Sequence, residues 1–258
     1  MLKALIFGAL FFFVLSPPLW AHDFWAGESK AEDSGSRGFY FGYGHTFPQG
    51  DAIDGAKYAE RFLPVRLIGE KGEIALTQGT EPRLFMAPGP LEPGTYIEVV
   101  ANRDAFWSQG PDGAVRRNKK EAPGVTGCHF GSHSGKRIIK VGEGESGSFY
   151  ATAVGLKLEM VPQKDPSALK VGEPFPVLVL FDGKPLPRAE VRAFFAGFTP
   201  RNSALAFLAR TDREGIVNII PLAPGEWLAK TKNAGAYEDP SVCDEWSYGT
   251  SLSFWVNE

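Results

Sequence analysis

Cysteine and histidine are scarce in this chain, at two and four among 258 residues. So thin and scattered a set has none of the diagnostic spacing of a zinc finger. Positive charge is not in excess either: Lys plus Arg number 27 against 30 for Asp plus Glu, a formal net charge of −3. Such mild acidity gives no hint of nucleic-acid binding, which would want a basic face. No long apolar run follows residue 21, so no membrane span is expected in the exported chain. A helix of convincing 3.6-residue period is missing, as is a strong internal repeat. Ser132 and Ser134 stand near His133 without a Gly-x-Ser-x-Gly elbow, which leaves a hydrolase triad unsupported.

Glycine (30), proline (20) and phenylalanine (20) are plentiful instead. Short strands joined by Gly/Pro turns suit that composition, so the expected fold class is all-β with two β-sandwich domains. Strand patterning marks 38–44, 65–68, 73–77, 95–101, 136–141 and 148–154. Residues 108–134 lack periodicity and carry Arg116, Arg117, Lys119 and Lys120, and are expected to form one long loop. The stretch from Pro162 to Pro166 divides the chain into an N-terminal β-rich domain, 22–161, and a C-terminal one, 167–258. Roughly seven strands with turns every 8–12 residues make the latter an immunoglobulin-like sandwich.

Residues 1–21 read as a secretory signal peptide. Lys3 gives a positive start, Ala4 to Ser16 a short apolar run, and Leu19-Trp20-Ala21 a cleavable end. A run of about 13 residues is too short to cross a bilayer of roughly 30 Å as a helix. A periplasmic location is therefore expected, with 237 of the 258 residues left after cleavage. Cys128 and Cys243 are then expected to pair as a disulfide. The alternative is that Cys128, beside His129, serves as a soft metal ligand.

Cleavage after Ala21 makes His22 the new N-terminus. Its α-amine and Nδ1 can chelate one metal ion, because the amine's pKa near 8 lets a metal displace its proton at neutral pH. His45 stands where the aromatic strand 38–44 turns into a loop, after Gly44. His129 and His133 sit four residues apart in Cys-His-Phe-Gly-Ser-His, where the glycine and serines argue for a loop. His22, His45, His129 and His133 are the candidate metal ligands. Imidazole-rich sites suit nickel, cobalt, copper or zinc rather than calcium or magnesium. Asp23, Asp51, Asp54 and Glu60 read as solvated surface acids.

Several motifs resemble one family. They are His22-Asp23-Phe24-Trp25, Gly44-His45-Thr46-Phe47-Pro48, Asp104-Ala105-Phe106-Trp107 through Lys119-Lys120, Val171-Gly172-Glu173-Pro174, Asp182-Gly183-Lys184-Pro185-Leu186, Thr211-Asp212-Arg213-Glu214-Gly215 and Pro224-Gly225-Glu226-Trp227. The chain looks like the periplasmic component of bacterial ABC-type cobalt/nickel uptake systems, the domain of unknown function 4198 family. The last four motifs are shared with carboxypeptidase-regulatory-like sandwiches and speak for fold. The resemblance implies an all-β, non-enzymatic protein that binds Ni(II) or Co(II) for membrane ABC-type transporter components, with His22 and His45 as the matched ligands. Cu(II) and Zn(II) remain chemically open. Two other readings stand beside it. One is an oxidative enzyme with a copper histidine brace at His22 and His45, near Tyr40 or Tyr43. The other is a carbohydrate- or peptide-binding module with incidental histidines.

Overall fold

The computed structural model describes residues 22–30, 37–55, 60–111, 113–143, 147–199 and 204–258; the expected signal peptide lies outside them. Strands dominate, as Gly/Pro-punctuated runs of aromatic and β-branched residues require. Two β-sandwiches share one long sheet, which has eleven strands among the described residues. Near its middle, Glu245–Val256 pairs antiparallel with Gly225–Ala236 and parallel with His133–Val141. The C-terminal strand therefore joins the sheet of one half to that of the other.

Each half closes its core with a smaller sheet. In the second half, Leu158–Pro162, Phe175–Phe181 and Ile216–Ile219 face the long sheet, and Met160, Phe175, Val191, Trp227 and Phe254 are buried between them. In the first, Asp23–Lys30, Arg37–Gly44, Leu84–Met86 and Thr77–Gln78 form the covering sheet. Phe24, Phe39, Phe41, Phe62 and Leu67 fill that core.

Strand Asp23–Lys30 uses both its faces, because side chains alternate along a strand. Phe24 and Ala26 enter the first core. Trp25 points the other way and packs with Phe47, Phe194 and Leu228, residues drawn from both halves. Its indole lies across Gly42 so closely that a Cβ there would stand 1.9 Å from a ring carbon. Ser251 and Ser253 of the last strand donate to the carbonyls of Phe24 and Ala26, each at 2.6 Å. Lys230 bonds the carboxylate of Asp23. The first strand is thus pinned across the last, and its N-terminal end sits where the two halves meet.

Two local expectations change. The stretch 108–134 contains strands Gly113–Val115 and Cys128–Gly131, and both pair with Ala105–Gly110. Runs of three and four residues are too short to show a period of two. Conversely, 148–154 holds a 3-10 turn at Phe149–Ala151. The buried carboxylate of Glu159 takes the backbone N–H groups of Val154, Gly155 and Leu156, and it binds Lys136 Nζ at 2.7 Å. A segment whose donors are met by one carboxylate has no need of a neighbouring strand.

Cys128 and Cys243 form a disulfide. Around it, Asp244 accepts the N–H of Cys128 at 2.8 Å and binds Lys119, while Lys120 reaches Asp239 at 3.2 Å. The cationic run is therefore half committed to a latch. Asp239 is held near a pKa of about 2 by the Ser241 hydroxyl, the Ser241 N–H and Lys120. Among the described residues no helix is long and apolar enough to cross a membrane.

Candidate metal centre

Register alone brings His22 and His45 together. The first two strands pair antiparallel with Asp23 opposite Gly44. Continuing one step sets His22 against His45. The rings stack, with centroids 4.2 Å apart and planes 27° apart. Tyr43 covers the other face of His22 at 4.4 Å and 13°. The His22 imidazole is thus held in a defined plane by two neighbours.

The chain after His45 then folds back. Gly50 N–H donates to Thr46 O at 2.8 Å, and Asp51 N–H to Tyr43 O at 2.7 Å. Gly44 makes this possible. Its φ is +146°, and a Cβ would stand 2.5 Å from Asp51 Cγ. A residue with a side chain would both strain the backbone and push Asp51 away. Asp51 Oδ2 consequently lies 3.5 Å from His22 Nε2. One donor atom from each of His22, His45 and Asp51 falls within 4.8 Å of the other two.

Two imidazoles and a carboxylate fit a first-row transition ion, and they lack the oxygen-rich set that calcium or magnesium needs. The side chains of His22 and Asp51 are 38% and 43% exposed, so an ion can enter from solvent. Burial and the neighbouring His45 lower the pKa of His22, against the pull of Asp51. That favours the neutral ring, the form that binds metal.

Behind this group stands Arg61. It donates to Tyr43 Oη at 2.8 Å, and its guanidinium carbon lies 4.9 Å from the Tyr43 ring and 5.0 Å from that of Trp107. Arg61 carried no signal in the sequence. Asp51 did carry one: Pro48 and Gly50 between it and His45 mark a turn that sends the chain back. By sequence alone it reads as a surface acid, because its return onto Gly44 depends on backbone geometry.

His129 and His133 stand outside this group. Both lie on strands rather than in a loop. His129 pairs beside Trp107 and Glu245, and His133 begins the strand that runs to Val141. The His133 ring packs against Gly249, where a Cβ would meet its Cδ2 at 2.2 Å. Tyr43 is the tyrosine in contact with His22, whereas Tyr40 lies over Gly27.

Burial, together with His129 and Lys232, pushes the pKa of His133 down to about 4. An unfolded histidine titrates near 6.5. Between those values the unfolded chain binds more protons, so stability falls as the pH drops from about 6.5 towards 4, by up to roughly 2–3 kcal/mol. Urea midpoints measured from pH 7 to 4.5 are expected to fall less steeply for His133→Asn than for the native chain. Equal slopes would show that another group governs the acid sensitivity.

No curated protein matches this chain at a significant level. Among solved structures, the D0-D1 domain of intimin aligns over 91% of this chain and 98% of its own, at 12% identity and a TM-score of 0.22. So loose a superposition says nothing about the site. The sequence family described as a domain of unknown function (DUF4198) matches residues 19–235. That span takes in His22, His45, Asp51 and most of both sandwiches, and the chain belongs to the DUF4198 family.

Proposed function

We propose that this chain is an exported carrier of a transition metal, nickel or cobalt by preference, that serves an ABC-type uptake system from the periplasm. The ion is cargo. His22 would hold it through its freed α-amine and Nδ1, and His45 would supply a further nitrogen. Asp51 faces the other ring nitrogen of His22. There its carboxylate fixes the ring, as acidic partners of metal-bound histidines commonly do. The observation that carries the reading is the meeting of His22, His45 and Asp51 within 4.8 Å at the expected start of the mature chain. The preference for nickel or cobalt and the transporter partner rest on the sequence resemblance.

Calorimetric titration of the mature protein with Ni(II), Co(II), Cu(II) and Zn(II) tests it. One ion per chain is expected, with binding lost in His45→Ala. Binding that survives His45→Ala would sink the proposed site. A second reading, oxidative copper chemistry, draws on Tyr43 stacked against His22. Ascorbate-driven oxygen consumption by the copper-loaded protein would favour it; inertness is the expected result.

A further inference from the structure

A cavity of about 260 Å³ opens beside the candidate centre, and His22 lines both. Asp23, His133, Arg192, Lys230 and Lys232 also face it. We infer that the metal arrives as the chelate of a small polycarboxylate, seated in this cavity with one carboxylate on the ion and another on Lys232. The inference rests on the metal-carrier reading and adds the form in which the cargo is held.

Three observations carry it. First, the donor set is small. Two histidines and the terminal amine leave a nickel or cobalt ion short of a full shell, since even tetragonal sites take four or more donors. The partial exposure of His22 leaves an open side. Second, His22 lines this cavity while His45 and Asp51 do not, so a molecule filling it would approach the centre from the His22 side. At about 260 Å³ the cavity falls at or below the low end of ordinary ligand pockets, too small for an oligosaccharide and suited to a small metabolite.

Third, the lining charge is positive. Arg192, Lys230 and Lys232 face two carboxylates, Asp23 and Glu190. Lys230 is committed to Asp23, and Arg192 to Glu190 at 2.6 Å. Lys232 is the cation able to change partner. Its nearest acid, Glu245, is 3.7 Å away, and its side chain is 58% exposed. A dianion or trianion is the ligand that uses both a metal and a loosely held ammonium. His133, kept neutral on the cavity wall, adds a hydrogen-bonding ring without further charge.

Radiolabelled citrate is the probe. In equilibrium dialysis of the mature protein, about one citrate per chain is expected with equimolar Ni(II) and none without metal. Lys232→Gln should weaken citrate retention by about tenfold, the usual worth of one charge-assisted hydrogen bond, and leave binding of nickel alone within twofold. Nickel bound while citrate stays in solution, nickel stripped by citrate, or equal retention by Lys232→Gln would each overturn the proposal and leave the metal site standing. Citrate retained equally without nickel would also overturn it, by revealing a plain anion site. Failure to bind nickel in any form would remove the carrier reading and this inference together.

Discussion

One residue placed ahead of His22 is expected to weaken nickel binding by about 100-fold or more. The mature N-terminus offers an amine and an imidazole nitrogen from a single residue. Two donors on one short link bind the second time at high effective concentration, an advantage of about 10²-fold or greater, or roughly 2.7 kcal/mol. An added residue turns the amine into an amide and removes that advantage. It leaves His22, His45 and Asp51 in their places, because the register of Asp23 against Gly44 does not depend on what precedes it. Asp51→Asn provides the contrast. If Asp51 only steadies the His22 ring, its loss should cost about tenfold, within the usual range for such partners. Calorimetry on both variants separates the arrangements. Unchanged affinity in the extended chain, with binding lost in Asp51→Asn, would place the ion on Nε2 and the carboxylate and refute the terminal chelate.

Loss of the disulfide is expected to cost about 4–5 kcal/mol. The bridge spans 115 residues of sequence. In the chain-entropy account, closing a loop of that size restricts the unfolded chain by about 4.7 kcal/mol. For a chain of this length that corresponds to a fall of roughly 10–15 °C in Tm. Thermal melts of Cys128→Ser/Cys243→Ser against the native protein test the magnitude. A shift under a few degrees would mean that the ion pairs around Asp239 and Asp244 hold the segment without the bridge. Metal affinity should persist, since none of the three candidate donors lies on the segments the bridge ties. Loss of metal binding in that double variant would contradict this separation.

The elements legible in the sequence were apolar or strand-forming runs of several residues with a clear turn beside them. Phe175–Phe181 and Gly94–Ala101 are examples, bounded by Asp182-Gly183 and by Pro93-Gly94. The misread ones were short, like Cys128–Gly131, or shaped by one distant side chain, as Glu159 shapes 154–156. The histidine pair His129 and His133 lies outside the group of His22, His45 and Asp51, a separation that their spacing of four does not record. On the strands that carry them, backbone direction leaves His133 against Gly249 and His129 beside Trp107 and Glu245.

The sequence by itself determined the all-β class and the donor chemistry of His22 and His45. These follow from local matters: alternation, turn residues, and the chemistry of an expected N-terminus. Leu158–Pro162, by contrast, read from sequence as the end of the first domain, pairs with Phe175–Phe181 in the second sandwich. Only the tertiary structure decided that Asp51 joins those histidines, that Tyr43 and Arg61 stand behind them, and that one sheet runs through both halves. Each of these depends on strand register and on a chain that returns over Gly44. Such contacts join residues far apart in sequence, and no local pattern records them.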